Sequence, residues 1–329
     1  MRDLRQRYTW VAIGFFFFSA FLVGCQPPGG AGQEANPNIQ PKPWSGPGPI
    51  PIVCTTAQVA DMLQEIAGPR ATVSALMGPG VDPHLYKPTP GDVKLLNAAG
   101  AIFYSGLHLE GRLGDLLLQL ARRRGNTFAV TEGLQTRNDS RLREPAEFEG
   151  HYDPHVWHDV SLWETCVLDT AERLATFDPA HADEYRARAQ SYAGRLKDLH
   201  AWCKSELETI PASRRVLITA HDAFGYFGAA YGIEVHGLQG ISTADEAKVA
   251  EMQKLVDLLV SRGIKAVFVE SSVQPRHVEA LVEACAARGH EIKVGGELFS
   301  DALGDPGTPE ATYIGMIQHN VRTIVSALR

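Results

Sequence analysis

The sequence predicts an α/β fold of two lobes, each built on a parallel sheet, joined by one long helix. Three observations carry that prediction. At 329 residues the chain exceeds the usual size of a single core. Strand-like apolar runs alternate with helical patterns in both halves, which is the grammar of βαβ units. Between the halves, Pro179 to Ile210 is the longest helical pattern, rich in Ala, Arg, Glu, Leu and Lys, and Pro211 ends it.

The first lobe opens at Ile50-Pro51-Ile52-Val53-Cys54-Thr55-Thr56, a β-rich apolar run. Thr56 then precedes a helix from Gln58 to Ala67, where Val59, Met62, Leu63 and Ile66 recur at helical spacing. Further strands are predicted at Thr72–Leu76, Ala101–Tyr104 and Thr127–Val130, with helices at Gly91–Ala98 and Leu113–Arg123 between them. Residues 132–150 carry turn and charged residues with little periodicity. A helix is expected from Leu162 to about Ala175. The 179–210 pattern would run ~45 Å at 1.5 Å per residue. A single rod linking two lobes accounts for that length; the alternative is two helices broken near Gly194. The second lobe repeats the alternation. Strands are predicted at Val216–Ala220, Ala266–Val269 and Ile292–Val294, and helices at Ala247–Arg262, His277–Arg288 and Thr312–Leu328. The domain boundaries that follow are 50–178 and 212–329 for the lobes, with 179–211 as the linker.

The N-terminus reads as a targeting segment. Arg2, Arg5 and Arg7 precede an apolar run from Trp10 to Val23, shorter than the ~20 residues needed to span a bilayer. Leu22-Val23-Gly24-Cys25 ends it and resembles the lipobox of bacterial lipoproteins. By that resemblance residues 1–24 are a signal peptide and Cys25 is the lipid-bearing first residue of the mature chain; an ordinary signal peptide or an uncleaved anchor is the alternative. Residues 25–49 are rich in Pro and Gly and read as a flexible tether.

The formal charge is −7, and loss of residues 1–24, with three arginines and one aspartate, leaves −9. That balance argues against nucleic acid, which requires a basic surface. Cys54, Cys166, Cys203 and Cys285 remain beyond Cys25, none in a Cys-x-x-Cys pair, so a thiolate zinc site or redox motif is not expected. Sequence leaves their pairing open, with buried free thiols expected for at least two.

The chemistry gathers in His151-Tyr152-Asp153-Pro154-His155-Val156-Trp157-His158-Asp159, three imidazoles and two histidine-flanking carboxylates in nine positions. Pro154 disfavours a helical Asp153, so the stretch reads as a held loop. A second Asp-Pro-His occurs at Asp82-Pro83-His84. Neutral imidazole is the commonest metal ligand. His84, His155, His221 and Asp301 stand at strand ends or in rigid loops, and three nitrogens with one carboxylate would complete a tetrahedral shell. Spacing alone does not bring them together.

Val81-Asp82-Pro83-His84-Leu85-Tyr86-Lys87-Pro88, Asp153-Pro154-His155-Val156-Trp157, His221-Asp222-Ala223-Phe224-Gly225 and Leu298-Phe299-Ser300-Asp301-Ala302-Leu303 resemble, in order, the metal motifs of the zinc/manganese ABC-transporter substrate-binding lipoproteins, solute-binding protein family 9. The resemblance runs from about Ile50 to Leu328. It implies two α/β lobes joined by one long rigid helix with the metal at their interface. It also implies His84 and His155 as ligands from the first lobe and His221 and Asp301 from the second. It implies capture of Zn²⁺ or Mn²⁺ (iron remaining open) outside the membrane by a lipid-anchored monomer. Delivery would be to an ABC permease with its cytoplasmic ATPase. His221 favours zinc, the absence of a histidine-rich loop at 132–150 does not, and Gly295–Asp301 resembles members that carry both ions.

Asp159, Asp222 and Glu270 are candidate acceptors for imidazole N–H groups, with a helix cap as the equal alternative for each. His158 is a further candidate beside the site. His108 and His151 are expected as exposed or hydrogen-bonded loop residues, and His236, His277, His290 and His319 in surface or cap roles. Affinity is expected to fall below about pH 6 as the histidines protonate. Two other readings stay open: a zinc metallohydrolase with a three-histidine site, and an adhesin-like surface lipoprotein with a structural metal. No His-Glu-x-x-His or Gly-x-Ser-x-Gly motif supports hydrolysis.

Overall fold

The computed structural model describes residues 42–329, apart from residues 149 and 246–248. The predicted signal segment, Cys25 and the tether as far as residue 41 lie outside the described residues.

Four strands, β1 (Ile50–Cys54), β2 (Ala71–Ala75), β3 (Ala101–Tyr104) and β4 (Thr127–Ala129), form one wholly parallel sheet in the order β2-β1-β3-β4. Parallel strands need crossovers, and α1 (Ala57–Ala67), α2 (Pro90–Ala98) and α3 (Gly114–Arg124) supply them; a short α4 (Glu132–Thr136) follows the last strand. The sheet is covered on both faces. Ile52 and Cys54 of β1 enter one apolar cluster, while Val53 between them enters another with Leu96, Ile102 and Leu117. Burial on both sides explains why β1 and β3 read as apolar runs, whereas the edge strand β2 is half exposed.

Helix α5 (Val160–Phe177) leads through a 3-10 turn at Pro179–His181 into α6 (Ala182–Glu208). Its 27 residues make about 40 Å of helix. Tyr185, Ala189, Tyr192, Leu196, Leu199, Cys203 and Leu207 fall three or four apart and form its buried stripe. Gly194 faces solvent with open space around it, so it does not break the helix.

Beyond α6 the chain returns to parallel strands. β5 (Val216–His221) pairs with β6 (Glu234–Gln239), and β7 (Ala266–Glu270) pairs with β8 (Lys293–Leu298); β5 runs beside β7. The helices are α7 (Gly225–Tyr231), α8 (Val249–Arg262), α9 (Arg276–Ala287) and α10 (Tyr313–Leu328). Sequence patterning did not predict α7 or β6. The first is seven residues with two glycines, and the second is a half-exposed Glu-Val-His-Gly-Leu-Gln run held by its pairing to β5. β8 also runs four residues beyond its predicted end at Val294. Val294 pairs with Val267 and Gly296 with Phe268, so Gly295 is the extra residue of a β-bulge. A Cβ on Gly295 would meet Ala327 and Phe268 at 2.7 and 2.9 Å.

One apolar cluster runs from Ile50 in β1 through α5 and α6 to Leu328 in α10. Trp44 packs against it, and its backbone N–H donates to the Phe177 carbonyl at 2.6 Å. Helix α10 reaches back to the first lobe: Tyr313 donates its backbone N–H to Asp61 at 3.2 Å and its hydroxyl to the Trp157 carbonyl at 2.7 Å. Cys54, Cys166, Cys203 and Cys285 are all free and buried. Among the described residues no helix is long and apolar enough to cross a membrane.

Candidate metal centre

The two Asp-Pro-His segments adopt the same local turn. Asp82 Oδ1 accepts the His84 backbone N–H at 2.9 Å, and Asp153 Oδ1 accepts that of His155 at 3.0 Å. An aspartate bonding the backbone two residues on is the Asx turn, and the intervening proline stiffens it. In each case the turn aims the histidine inward: His84 is 4% exposed and His155 is fully buried. His221 is the last residue of β5, and Asp301 follows the end of β8, so both occupy carboxyl ends of parallel strands.

These four side chains converge. One donor atom from each of His84, His155, His221 and Asp301 lies within 4.8 Å of every other. His84 Nε2 is 3.2 Å from His155 Nε2, and Asp301 Oδ2 is 3.2 Å from His221 Nε2 and 3.5 Å from His84 Nε2. Asp301 Oδ1 stands 3.5 Å from His155 Nε2. The edges of a tetrahedron with ligands 2.0–2.1 Å from a central Zn²⁺ are about 3.3–3.4 Å. Both Asp301 oxygens and His221 Nε2 are buried with no hydrogen-bond partner, although they face one another. Unpaired buried polar atoms are costly, and a cation at the centre would satisfy all of them at once.

The far sides of two rings are fixed. His155 Nδ1 bonds Asp153 Oδ1 at 2.8 Å, and His221 Nδ1 bonds Glu270 Oε2 at 2.5 Å while Glu270 Oε1 accepts the His221 backbone N–H at 2.8 Å. With the proton on Nδ1, each Nε2 lone pair points to the centre. Glu270 is thus the predicted imidazole acceptor. Asp159 takes the alternative role expected of it and caps α5, accepting from Ser161, and Asp222 makes no imidazole bond among the described residues. Asp153 holds the role that the sequence reading gave to those two. Its position one proline before a ligand was the available signal.

Electrostatics divide the histidines. Burial pushes His84 from 6.5 down to about 3, so it stays neutral and ready to ligate. Burial also lowers His221, but Glu270 and Asp301 on its two sides outweigh it and hold the ring well above the ordinary value. Burial would raise Asp301; the surrounding His221, His155 and His84 outweigh that and keep the carboxyl below its usual range. The histidines therefore differ in how readily they take a proton. Burial holds His84 toward the neutral form, while Glu270 and Asp301 favour the protonated form of His221.

His158 is fully buried outside the cluster, stacked on Phe224 with ring centroids 4.3 Å apart and both nitrogens unpaired. Burial pushes it down to about 3. His108 and His151 are exposed, with ring centroids 4.3 Å apart. His290 is buried rather than on the surface, bonding the Ile264 carbonyl at 2.7 Å. His236 and His319 bond Glu234 and the Glu297 carbonyl.

Two parallel-sheet lobes, one long connecting helix and a buried polar cluster between the strand ends define a two-lobed solute-binding protein. The family model described as Zinc-uptake complex component A, periplasmic, matches residues 52–327, and the chain belongs to that family. The Zinc-binding protein TroA of Treponema pallidum (strain Nichols) is 48% identical over 278 residues, covering 84% of this chain and 88% of that protein. The Manganese-binding lipoprotein MntA of Bacillus subtilis (strain 168) is 42% identical over 313 residues, covering 95% of this chain and 97% of that one. The solved structure of the periplasmic zinc binding protein TroA from Treponema pallidum superposes with a TM-score of 0.81 at 46% identity, covering 85% of this chain and 99% of that chain.

Proposed function

We propose that this chain is the extracytoplasmic solute-binding component of an ABC importer, and that His84, His155, His221 and Asp301 hold its cargo, one Zn²⁺ or Mn²⁺. The observation that carries the reading is the buried convergence of three histidines and Asp301, with both Asp301 oxygens and His221 Nε2 unpaired and four of the donor–donor separations at 3.2–3.5 Å, close to the edges of a metal tetrahedron. The ion is substrate, captured and released without catalysis, and passed to a membrane permease driven by a cytoplasmic ATPase. Three nitrogens and one oxygen satisfy Zn²⁺. Both Asp301 oxygens face histidine nitrogens, so a bidentate carboxylate also gives Mn²⁺ the extra oxygen it prefers. One relative is named for zinc and another for manganese. Residues 1–24 act as the signal peptide, Cys25 carries the lipid, 25–49 tether the body, 50–178 and 212–329 are the metal-binding lobes, and 179–211 link them in a monomer.

The test is calorimetric titration with Zn²⁺ and with Mn²⁺ after chelator treatment, followed by competition between them. The wild-type chain should bind one equivalent tightly, and a His84→Ala, His221→Ala double variant should not. Tight binding by the double variant would refute the ligand assignment. A metal-dependent hydrolytic turnover would refute the transport reading.

A further inference from the structure

The lobes are not tied equally to each other around the two Asp-Pro-His turns. Among the described residues, the His155 segment is held to the second lobe by three buried hydrogen bonds. Trp157 Nε1 donates to the Ser300 carbonyl at 2.9 Å, Tyr226 donates its hydroxyl to the Asp153 carbonyl at 2.9 Å, and Tyr313 to the Trp157 carbonyl at 2.7 Å. The His84 loop is held by one. Thr243 Oγ1 donates to Asp82 Oδ2 at 2.6 Å. The other oxygen of the same carboxylate accepts the His84 backbone N–H.

Thr243 is well placed to act on the site although it touches none of the four converging side chains. It follows β6, whose last residue, Gln239, lies in register with His221. The turn that carries it is braced: Gly240 accepts the Asp222 N–H at 3.4 Å, Ser242 Oγ accepts the Ala244 N–H at 3.3 Å, and Gln239 donates to the Asp245 carbonyl at 3.3 Å. Thr243 itself is 8% exposed. A cleft of about 280 Å³ lies beside it, lined by Asp82 and Leu85 from the first lobe and by Gln239, Ser272 and Val273 from the second.

We infer that Thr243 is a positioning residue for metal release: through Asp82 it fixes the His84 backbone to the second lobe and sets how fast the closed site opens. The inference rests on the metal reading above. An ion leaves when His84 parts from the second-lobe ligands His221 and Asp301, and the Thr243–Asp82 bond spans that same gap. A hydrogen bond to a charged carboxylate is among the stronger ones.

The experiment is stopped-flow release of Zn²⁺ into excess chelator from wild type, Thr243→Val and Thr243→Ser. Valine keeps the shape and removes the hydroxyl; serine restores it. Release from Thr243→Val should be about tenfold faster, with the association rate and the metal-free melting temperature near wild type. Thr243→Ser should return the release rate to within about twofold of wild type, which a merely steric role would not do. A Thr243→Val protein that releases at the wild-type rate overturns the inference alone. A wild-type chain that takes up no Zn²⁺ overturns the metal reading and this inference with it.

Discussion

Replacing Glu270 with Gln tests how the second-lobe imidazole is aimed. Glu270 accepts two hydrogen bonds from one residue, the His221 backbone N–H at 2.8 Å and the His221 Nδ1–H at 2.5 Å. Glutamine has one acceptor oxygen. If it keeps the backbone bond, its amide N–H₂ meets Nδ1, and the neutral ring moves its proton to Nε2, where it blocks the ion. If it keeps the ring bond, a buried backbone N–H is left unpaired. Either outcome costs about 1.4–2.7 kcal/mol, a 10- to 100-fold loss of affinity. A second effect runs the other way. Glu270 raises the proton affinity of His221, so its removal eases the proton that an incoming ion must displace. The deficit of Glu270→Gln should therefore be largest at high pH and shrink as pH falls. Zn²⁺ affinity measured against a chromophoric chelator across pH 6–9 reads both effects. Wild-type affinity in the variant at high pH would refute the aiming role, and a deficit that grows on acidification would refute the proton argument.

Three further outcomes are expected. Because His221 is protonated in the metal-free site while His84 is neutral, Zn²⁺ binding at neutral pH should expel about one proton, seen as buffer-dependent enthalpy in calorimetry. His158 is held neutral down to about 3, whereas the unfolded chain takes that proton below 6.5, so its contribution to stability is lost as pH falls through that window. His158→Phe should thus gain about 2 kcal/mol relative to wild type between pH 7.5 and pH 5 in urea unfolding without metal. Gly194→Ala, on the exposed face of α6 with open space around its Cβ, should raise stability by about 0.5–1 kcal/mol, read from the urea midpoint.

The residues of the site were legible because their local chemistry is written beside them. Asp-Pro-His is an Asx turn with a stiffened middle, and it appears twice. His221 and Asp301 could be placed at strand ends, but spacing could not show that they meet His84 and His155; the motif resemblance did that, and the geometry brings all four together. What stayed hidden depends on partners distant in the chain. β6 is made by its pairing to β5, and α7 by the packing of Tyr226, Phe227 and Tyr231, neither by its own periodicity. Gly295-Gly296 reads as a stop in sequence, yet a bulge carries β8 through it. His290 reads as polar surface, yet it bridges to Ile264.

The apolar cluster that threads β1, α5, α6 and α10 draws residues from both lobes into a shared core. Heating should melt it in a single cooperative event, and each tenfold excess of free ion over the dissociation constant should add about 1.4 kcal/mol to the whole molecule at once. Cargo capture would then double as protection against proteases, with the loaded and empty forms differing in lifetime as well as in affinity for their transporter.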